Sequence, residues 1–168
     1  MKIHEVMNLG KSLVGMKINR KTDFAGKPWN GNFWCYNKNL ASLEGAPSSV
    51  SGDFTCSDNN LTSLEGSPSS VGGDFWCYNN LTSLAMVHKH IKHINGGFYV
   101  GHNPIEGCVL GLLLIDGLKL VACDDKRDAM YPAIEIVNRY LPNRKGKSAL
   151  LACQNELLDA GLEEYAKL

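Results

Sequence analysis

A 21-residue repeat fills the centre of the chain and limits the folds that the chain can adopt. The same two residue types recur at this interval, namely Phe33, Phe54 and Phe75 together with Cys35, Cys56 and Cys77. The full unit follows the pattern F-x-C-x-x-N-x-L-x-x-L-E-G-x-P-S-S-V-x-G-D. Recurrence at a fixed interval of about 20 to 50 residues indicates a repeat architecture, in which each unit buries its apolar residues against its neighbours.

Several apolar positions, one asparagine and one proline recur together in each unit. In the second copy they are Phe54, Cys56, Asn59, Leu61, Leu64, Pro68 and Val71. This pattern resembles the leucine-rich repeat, and in particular its short, proline-containing bacterial class. The resemblance implies an α/β solenoid, a right-handed coil with a parallel β-sheet on its concave side.

The resemblance also implies an asparagine ladder, in which one Asn side chain of each coil bonds backbone groups in the bend after the strand. Asn59 and Asn103 stand at this position, and either Asn79 or Asn80 must serve in the third unit, which is one residue shorter. The first unit has Lys38 there, which cannot both donate and accept as an amide does. We expect the ladder to be weakest at Lys38 and at the third unit.

We expect one structural domain made of three consecutive segments. Residues 1–30 form an N-terminal cap, 31–123 the leucine-rich repeats, and 124–168 a C-terminal helical cap. Terminal repeats need covers of this kind because they would otherwise expose core residues and an open sheet edge. In the first segment we predict a short helix and a degenerate repeat, marked by Ile3, Val6 and Met7 and by Val14, Met16, Asn19 and Phe24.

The repeat pattern changes after Leu84. We predict a short helix over Met86–His93 with Val87, Ile91 and Ile94 inward, and a fourth strand at Phe98–Val100. A further short helix and a turn at Asp116-Gly117 then lead to a last parallel strand at Leu118–Ala122.

From Asp124 the apolar spacing is helical. One helix has Pro132 in its first turn and buries Ile134, Val137 and Leu141. The next is predicted to have Ser148 as its N-cap. Its inward residues are predicted to be Leu151, Leu158, Leu162 and Tyr165, with a break at Gly161.

Alternation along each F-x-C strand separates buried from outward residues. Phe and Cys point into the core, so the residues between and after them point to solvent. Asn32, Asp53 and Asp74 come just before these strands, and the two aspartates supply acidic groups. The predicted partner-binding residues are Trp34, Tyr36, Thr55, Ser57, Trp76, Tyr78, Tyr99 and Lys119.

Outward tryptophan and tyrosine residues favour protein binding, because these residues are enriched at binding hot spots. The endings IVNRYLP and ACQNELLDAGLEEYAKL resemble those of leucine-rich-repeat proteins of large tailed bacteriophages. That resemblance implies a non-enzymatic phage protein that binds, and modulates or inhibits, a host protein, which could belong to a defence system. A second copy of the chain is an alternative partner, and the helical tail or the basic loop Asn143–Lys147 is an alternative surface.

Two enzymatic alternatives remain open. His88, His90 and His93 form H-x-H-x-x-H, which could bind a transition metal, although only His90 and His93 share a helical face. Cys123 and Asp125 match the C-x-D motif of the ubiquitin ligases that are joined to some bacterial leucine-rich repeats. Those ligase domains are several times larger than the segment available here. We therefore predict no catalytic residue, no metal and no cofactor.

Charge and cysteine patterns exclude other classes. Seventeen basic and seventeen acidic residues cancel, which argues against a dedicated nucleic-acid binder. Residues 1–30 are net positive (six basic, two acidic) and residues 31–84 net negative (one basic, five acidic). The absence of an 18-residue apolar run, a signal-peptide pattern and a C-x-x-C pair predicts a cytoplasmic protein without membrane contact, disulfide framework or zinc site.

Overall fold

Stacked parallel strands form a β-solenoid of about five turns, followed by a C-terminal helical segment. The structure is a computed structural model that describes residues 24–144 and 146–168. The predicted cap helix at Ile3, Val6 and Met7 lies outside these residues, as does most of the predicted degenerate repeat. Its last residue, Phe24, is described and lies buried at the start of the stack.

The front sheet of the solenoid has five parallel strands, one from each coil. They are β2 (Phe33–Trp34), β4 (Phe54–Thr55), β6 (Phe75–Trp76), β8 (Gly97–Tyr99) and β9 (Leu120–Ala122). Equivalent positions pair directly, so that Phe54 lies beside Phe33 and Phe75, and Tyr99 lies beside Trp76. The predicted parallel sheet is present, although β8 and β9 have slightly different bounds from those predicted.

A second parallel sheet, the back sheet, was not predicted. Its strands are β1 (Pro28–Trp29), β3 (Ser49–Val50), β5 (Ser70–Val71) and β7 (His93–Ile94). Val50, Val71 and Ile94 point into the core from this side. A two-residue strand is too short to show alternation, so spacing did not identify these segments as strands. Their β-branched residues were the available signal.

The core between the two sheets contains a column of phenylalanine rings. The centroids of Phe33 and Phe54 are 5.9 Å apart, those of Phe54 and Phe75 4.9 Å, and those of Phe75 and Phe98 5.2 Å. The cysteines two residues after each phenylalanine of the three clear repeats are also buried. The prediction that Phe and Cys point inward is therefore confirmed.

A ladder of buried asparagines joins successive coils. Asn59 Nδ2 donates to the carbonyls of Cys35 (2.9 Å) and Cys56 (2.8 Å). Its Oδ1 accepts from the backbone N–H groups of Lys38 (2.9 Å) and Leu40 (3.0 Å). Asn59 thus satisfies backbone groups of its own coil and of the preceding one, which a buried bend requires.

The third coil uses Asn79 rather than Asn80 in this ladder. Asn79 is buried and its Oδ1 accepts from the Asn59 N–H at 2.9 Å, whereas Asn80 is exposed. Asn103 continues the ladder, since its Oδ1 accepts from the N–H groups of Asn79 and Leu81. The one-residue deletion in the third unit therefore leaves the ladder unbroken.

The connection after the third coil contains α1 (Val87–His90). It is shorter than the predicted Met86–His93 helix because His93 and Ile94 belong to β7. Val87, Ile91 and Ile94 are buried as predicted. The next connection contains a 3-10 helix at Leu110–Leu114, and Gly117 turns the chain toward β9 with φ +75°.

Two helices follow the last coil, α2 (Tyr131–Tyr140) and α3 (Lys147–Asp159). In α2, Ile134 and Val137 are buried as predicted, and Leu141 is buried directly after it. Gly161, at φ +72°, lies just beyond α3 and breaks the helical path, as expected of a residue without a Cβ.

Two predictions for α3 were wrong. The helix begins at Lys147 with Gly146 as its N-cap, so Ser148 lies inside it. Leu151 and Leu158 are 56% and 45% exposed, and Cys153 and Leu157 are buried instead. The helix has apolar residues on more than one face, so spacing alone did not identify the buried one. Tyr165 is buried as predicted and Leu162 packs partly against the core.

Candidate partner-binding face

The outward side chains of the front sheet form a surface that we call the aromatic face. It has fifteen positions in three rows, each row crossing the five coils, because alternate residues of a strand share one face. The rows are Asn32, Asp53, Asp74, Gly97 and Leu120; Trp34, Thr55, Trp76, Tyr99 and Ala122; and Tyr36, Ser57, Tyr78, Gly101 and Asp124.

One end of the aromatic face is a packed cluster of rings. Trp76 and Tyr99 lie flat against each other, with centroids 3.6 Å apart and planes 6° apart. Tyr78 meets Trp76 edge-on at 6.1 Å, and His102 meets Tyr78 edge-on at 5.7 Å. Trp76, Tyr78 and Tyr99 are half-buried by these contacts. Three predicted site residues are therefore brought together in a fixed arrangement.

The other end of the face presents two more exposed rings. Trp34 and Tyr36 are 44% and 45% exposed. Thr55 on β4 and Ser57 just after it separate them from Trp76 and Tyr78. Because neighbouring strands are about 4.8 Å apart, the strands that carry Trp34 and Trp76 are about 9.6 Å apart along the stack. The five outward aromatics thus form two groups with a gap between them.

Tyr78 is anchored by a residue that the sequence analysis missed. Its hydroxyl donates to Asp124 Oδ2 at 2.7 Å, across the intervening coil at Gly101. A Cβ at Gly101 would lie 3.1 Å from the Asp124 backbone nitrogen and 3.7 Å from the Tyr78 ring, so the glycine leaves room for this contact. Burial, followed by the hydrogen bond to Asp124, raises the pKa of the Tyr78 phenol. The signal that could have identified Asp124 was the register of β9.

The register of β9 also gives Lys119 a position different from the predicted one. Lys119 was predicted to be an outward residue of the last strand, but Tyr99 pairs with Ala122. Lys119 lies before β9, where its N–H donates to the Gly96 carbonyl at 3.0 Å, and its side chain is exposed beside the aromatic face. The strand begins at Leu120 rather than at the predicted Leu118.

Ser57 was predicted to face solvent, but it is only 6% exposed. Its Oγ accepts the N–H of Tyr78 at 3.1 Å. A hydroxyl satisfies a backbone donor here, so the contribution of Ser57 is structural, whereas Thr55 in the middle row is half-exposed. The gap is therefore lined by two short polar side chains, those of Thr55 and Ser57.

The first row of the face forms a second side-chain ladder, which was not predicted. Asn32 Oδ1 accepts the N–H of Asp53 at 2.8 Å, and Asp53 Oδ1 accepts that of Asp74 at 2.9 Å. Asp74 Oδ1 then accepts the N–H of Gly97 at 2.7 Å. These bonds fix the orientation of two carboxylates beside the aromatic row.

The aromatic face is acidic. Three of its fifteen positions are aspartates, Asp53, Asp74 and Asp124, and none is lysine or arginine. Burial raises the pKa of Tyr99, and the negative charges of Asp74, Asp124 and Asp53 raise it further, in that order. The phenol of Tyr99 therefore lies within the electrostatic influence of all three carboxylates.

The proposed ligase pair has properties opposite to those of a catalytic thiol. Cys123 is buried and its Sγ–H donates to Asp128 Oδ2 at 3.1 Å. Burial, followed by this hydrogen bond, raises the pKa of Cys123 to about 12, whereas nucleophilic cysteines have a lowered pKa. Asp125 pairs with Arg127 at 2.7 Å, and the guanidinium holds the pKa of this carboxyl at about 2.

The three histidines of the H-x-H-x-x-H motif are divided between a helix and a strand. His88 and His90 lie in α1, whereas His93 belongs to β7, where its ring packs over Gly117. Within residues 24–144 and 146–168, no group of three or more His, Cys, Asp or Glu side chains is placed to hold a metal ion.

A scan against protein-family models and searches of curated proteins and of solved structures each gave no match. In the part of the chain that the structure describes, no helix is both long and apolar enough to cross a membrane.

Proposed function

We propose that the chain is a non-enzymatic protein-binding module whose aromatic face is the docking surface. The observation that supports this best is the exposure of Trp34 and Tyr36 beside the packed Trp76, Tyr78 and Tyr99. Rings held on a regular sheet lose little conformational freedom on binding, which favours tryptophan and tyrosine as anchors. The three aspartates around them make a nucleic-acid backbone an unfavourable partner.

We further propose that the solenoid is a leucine-rich repeat and that the aromatic face is its concave surface. The 21-residue unit and the buried ladder of Asn59, Asn79 and Asn103 support this assignment. The phage resemblance of the sequence makes a bacterial host protein in the host cytoplasm the first partner to test. Binding would then inhibit or redirect that host protein by occupying its surface.

The experiment that tests the proposal is capture from a bacterial host lysate with matched variants. Wild type is compared with Trp34→Ala/Trp76→Ala and with Leu151→Ala/Leu158→Ala, a control that removes two exposed leucines from α3. We expect one host protein to be retained by wild type and the control and lost by the tryptophan variant. Retention by all three would move the site away from the aromatic face.

Self-association is the alternative outcome of the same test. Sedimentation of the purified chain at several concentrations would reveal a dimer, and the tryptophan variant would abolish it if the two faces pair. A dimer that survives in this variant would place the contact elsewhere.

The enzymatic alternative has its own test at Cys123. We expect this thiol to remain unlabelled by iodoacetamide in the folded protein at pH 8, because its pKa of about 12 leaves almost no thiolate. A Cys108→Ser background removes the one partly exposed thiol, since the other five are buried. Rapid labelling of Cys123 before unfolding would favour the ligase alternative instead.

A further inference from the structure

The gap in the aromatic face lies between two tryptophans of one row. Trp34 and Trp76 lie on either side of Thr55, on strands that are about 9.6 Å apart along the stack. Tyr99 covers one face of the Trp76 indole at 3.6 Å, so the other indole face is turned toward Thr55 and Trp34. We infer that this gap binds an ammonium cation, presented as a lysine side chain by the partner protein. This inference rests on the proposed function and names the chemistry of its central contact.

The residue between the two tryptophans favours access by a small group. Thr55 has a short, half-exposed side chain, and the exposed Trp34 and the Trp76 indole lie on the strands on either side of it. A cation within about 6 Å of an indole ring gains a cation–π contact, and tryptophan is the best aromatic partner for it. An ammonium group suits this chemistry, and methyl groups on its nitrogen would add apolar contact with the rings.

The charges around the gap favour the same ligand. Asp53 and Asp74 flank the middle row, and their Oδ1 atoms are held by the backbone N–H groups of the next coil. Burial, followed by the negative charges of Asp74, Asp124 and Asp53, raises the pKa of Tyr99, whose ring stacks on Trp76. Since none of the fifteen positions of the face is basic, the field is not offset from within the face.

The first test uses choline and its neutral isostere 3,3-dimethylbutan-1-ol. Both are titrated into ¹⁵N-labelled protein while the indole N–H signals are followed. The Trp29 signal is an internal reference, because Trp29 lies on β1 of the back sheet and its ring packs edge-on against the buried rings of Phe24 and Phe33. We expect choline to move the Trp34 and Trp76 signals and to bind about tenfold or more tightly than the isostere. Equal binding of the two probes, or no choline binding, would overturn the inference.

Two variants test the location and the charge. Thr55→Phe places a ring in the gap and should abolish choline binding, while the strand tolerates an aromatic residue. Asp53→Asn/Asp74→Asn removes two charges but keeps the Oδ1 acceptor, as Asn32 shows at the equivalent position. We expect this variant to bind choline several-fold more weakly and with less dependence on salt. If Thr55→Phe is folded and binds choline as tightly as wild type does, the inference is overturned.

The captured partner then tests the source of the cation. Choline should displace it from wild type in a concentration-dependent manner, whereas the isostere should not. If the partner requires Trp34 and Trp76 but choline neither binds nor displaces it, docking on the aromatic face stands and the cation site is wrong. If choline binds but replacing both tryptophans leaves the affinity of the partner unchanged, the lysine contact and the proposed function are both wrong.

Discussion

The tetrapeptide Phe-Trp-Cys-Tyr occurs at 33–36 and again at 75–78, and its two copies have different surroundings. In both copies Phe and Cys are buried and Trp and Tyr face outward. In the first copy the outward rings are nearly half exposed, whereas in the second Trp76 stacks on Tyr99 and Tyr78 is bonded to Asp124. The repeat thus determines which residues point outward, and the neighbouring coils determine what those residues contact.

The inner halves of the two copies should be equivalent, and this gives the largest expected effect. Phe33→Ala and Phe75→Ala should each lower the free energy of unfolding by about 3–5 kcal/mol, since each removes a buried ring from the phenylalanine column. Urea denaturation followed by circular dichroism measures the loss. A loss below about 1 kcal/mol for either variant would show that the column does not support the solenoid.

The outer halves should differ in stability. Trp76→Ala should cost about 1–2 kcal/mol of unfolding free energy, because it removes a stacked aromatic pair and its buried area. Trp34→Ala should cost about 0.5 kcal/mol or less, as expected for an exposed side chain. Equal costs in the same denaturation experiment would contradict the difference between the two copies.

The two tyrosines, Tyr36 and Tyr78, should differ in stability by a smaller amount. Tyr78→Phe should cost about 1 kcal/mol of unfolding free energy, because it leaves Asp124 without the phenol donor. Tyr36→Phe is the matched control and should change stability very little, since the Tyr36 ring is nearly half exposed. Similar values for the two variants would show that the Tyr78–Asp124 bond contributes little.

The same bond predicts a pH dependence. Burial and the Asp124 hydrogen bond raise the Tyr78 pKa in the folded state above the ordinary value near 10. The resulting stabilisation is fully present below about pH 10 and is lost as pH rises through the folded-state pKa. Unfolding free energy measured between pH 8 and 11 should therefore fall less steeply for Tyr78→Phe than for wild type. Parallel curves would contradict the assignment.

The fold was largely predictable from the sequence because the repeat is periodic. Phe54 and Cys56 recur with Asn59 at fixed spacing, and this identified the buried face of the front sheet and the asparagine ladder. The back sheet was not predictable in the same way, since Ser49–Val50 is too short for alternation to appear. In α3, apolar residues on several sides left the buried face undetermined, and the chosen leucines proved to be exposed.

The candidate site was predictable in composition but not in arrangement. Outward positions follow from alternation, so Trp34 and Trp76 were identified from the sequence alone. Asp124 was missed and Lys119 misplaced because both depend on the register of the last strand, where the 21-residue period has ended. The ladder formed by Asn32, Asp53 and Asp74 depends on contacts between coils, which spacing within one coil does not specify.

The most direct test of the central claim is the affinity of the captured partner for Trp34→Ala. This side chain is exposed, so its removal should leave the thermal unfolding curve unchanged. We expect a loss of about 2 kcal/mol in binding free energy, or about 30-fold in Kd, with Leu151→Ala as the neutral control. Equal affinities for wild type and Trp34→Ala, with both proteins folded, would contradict the assignment of the aromatic face as the binding surface.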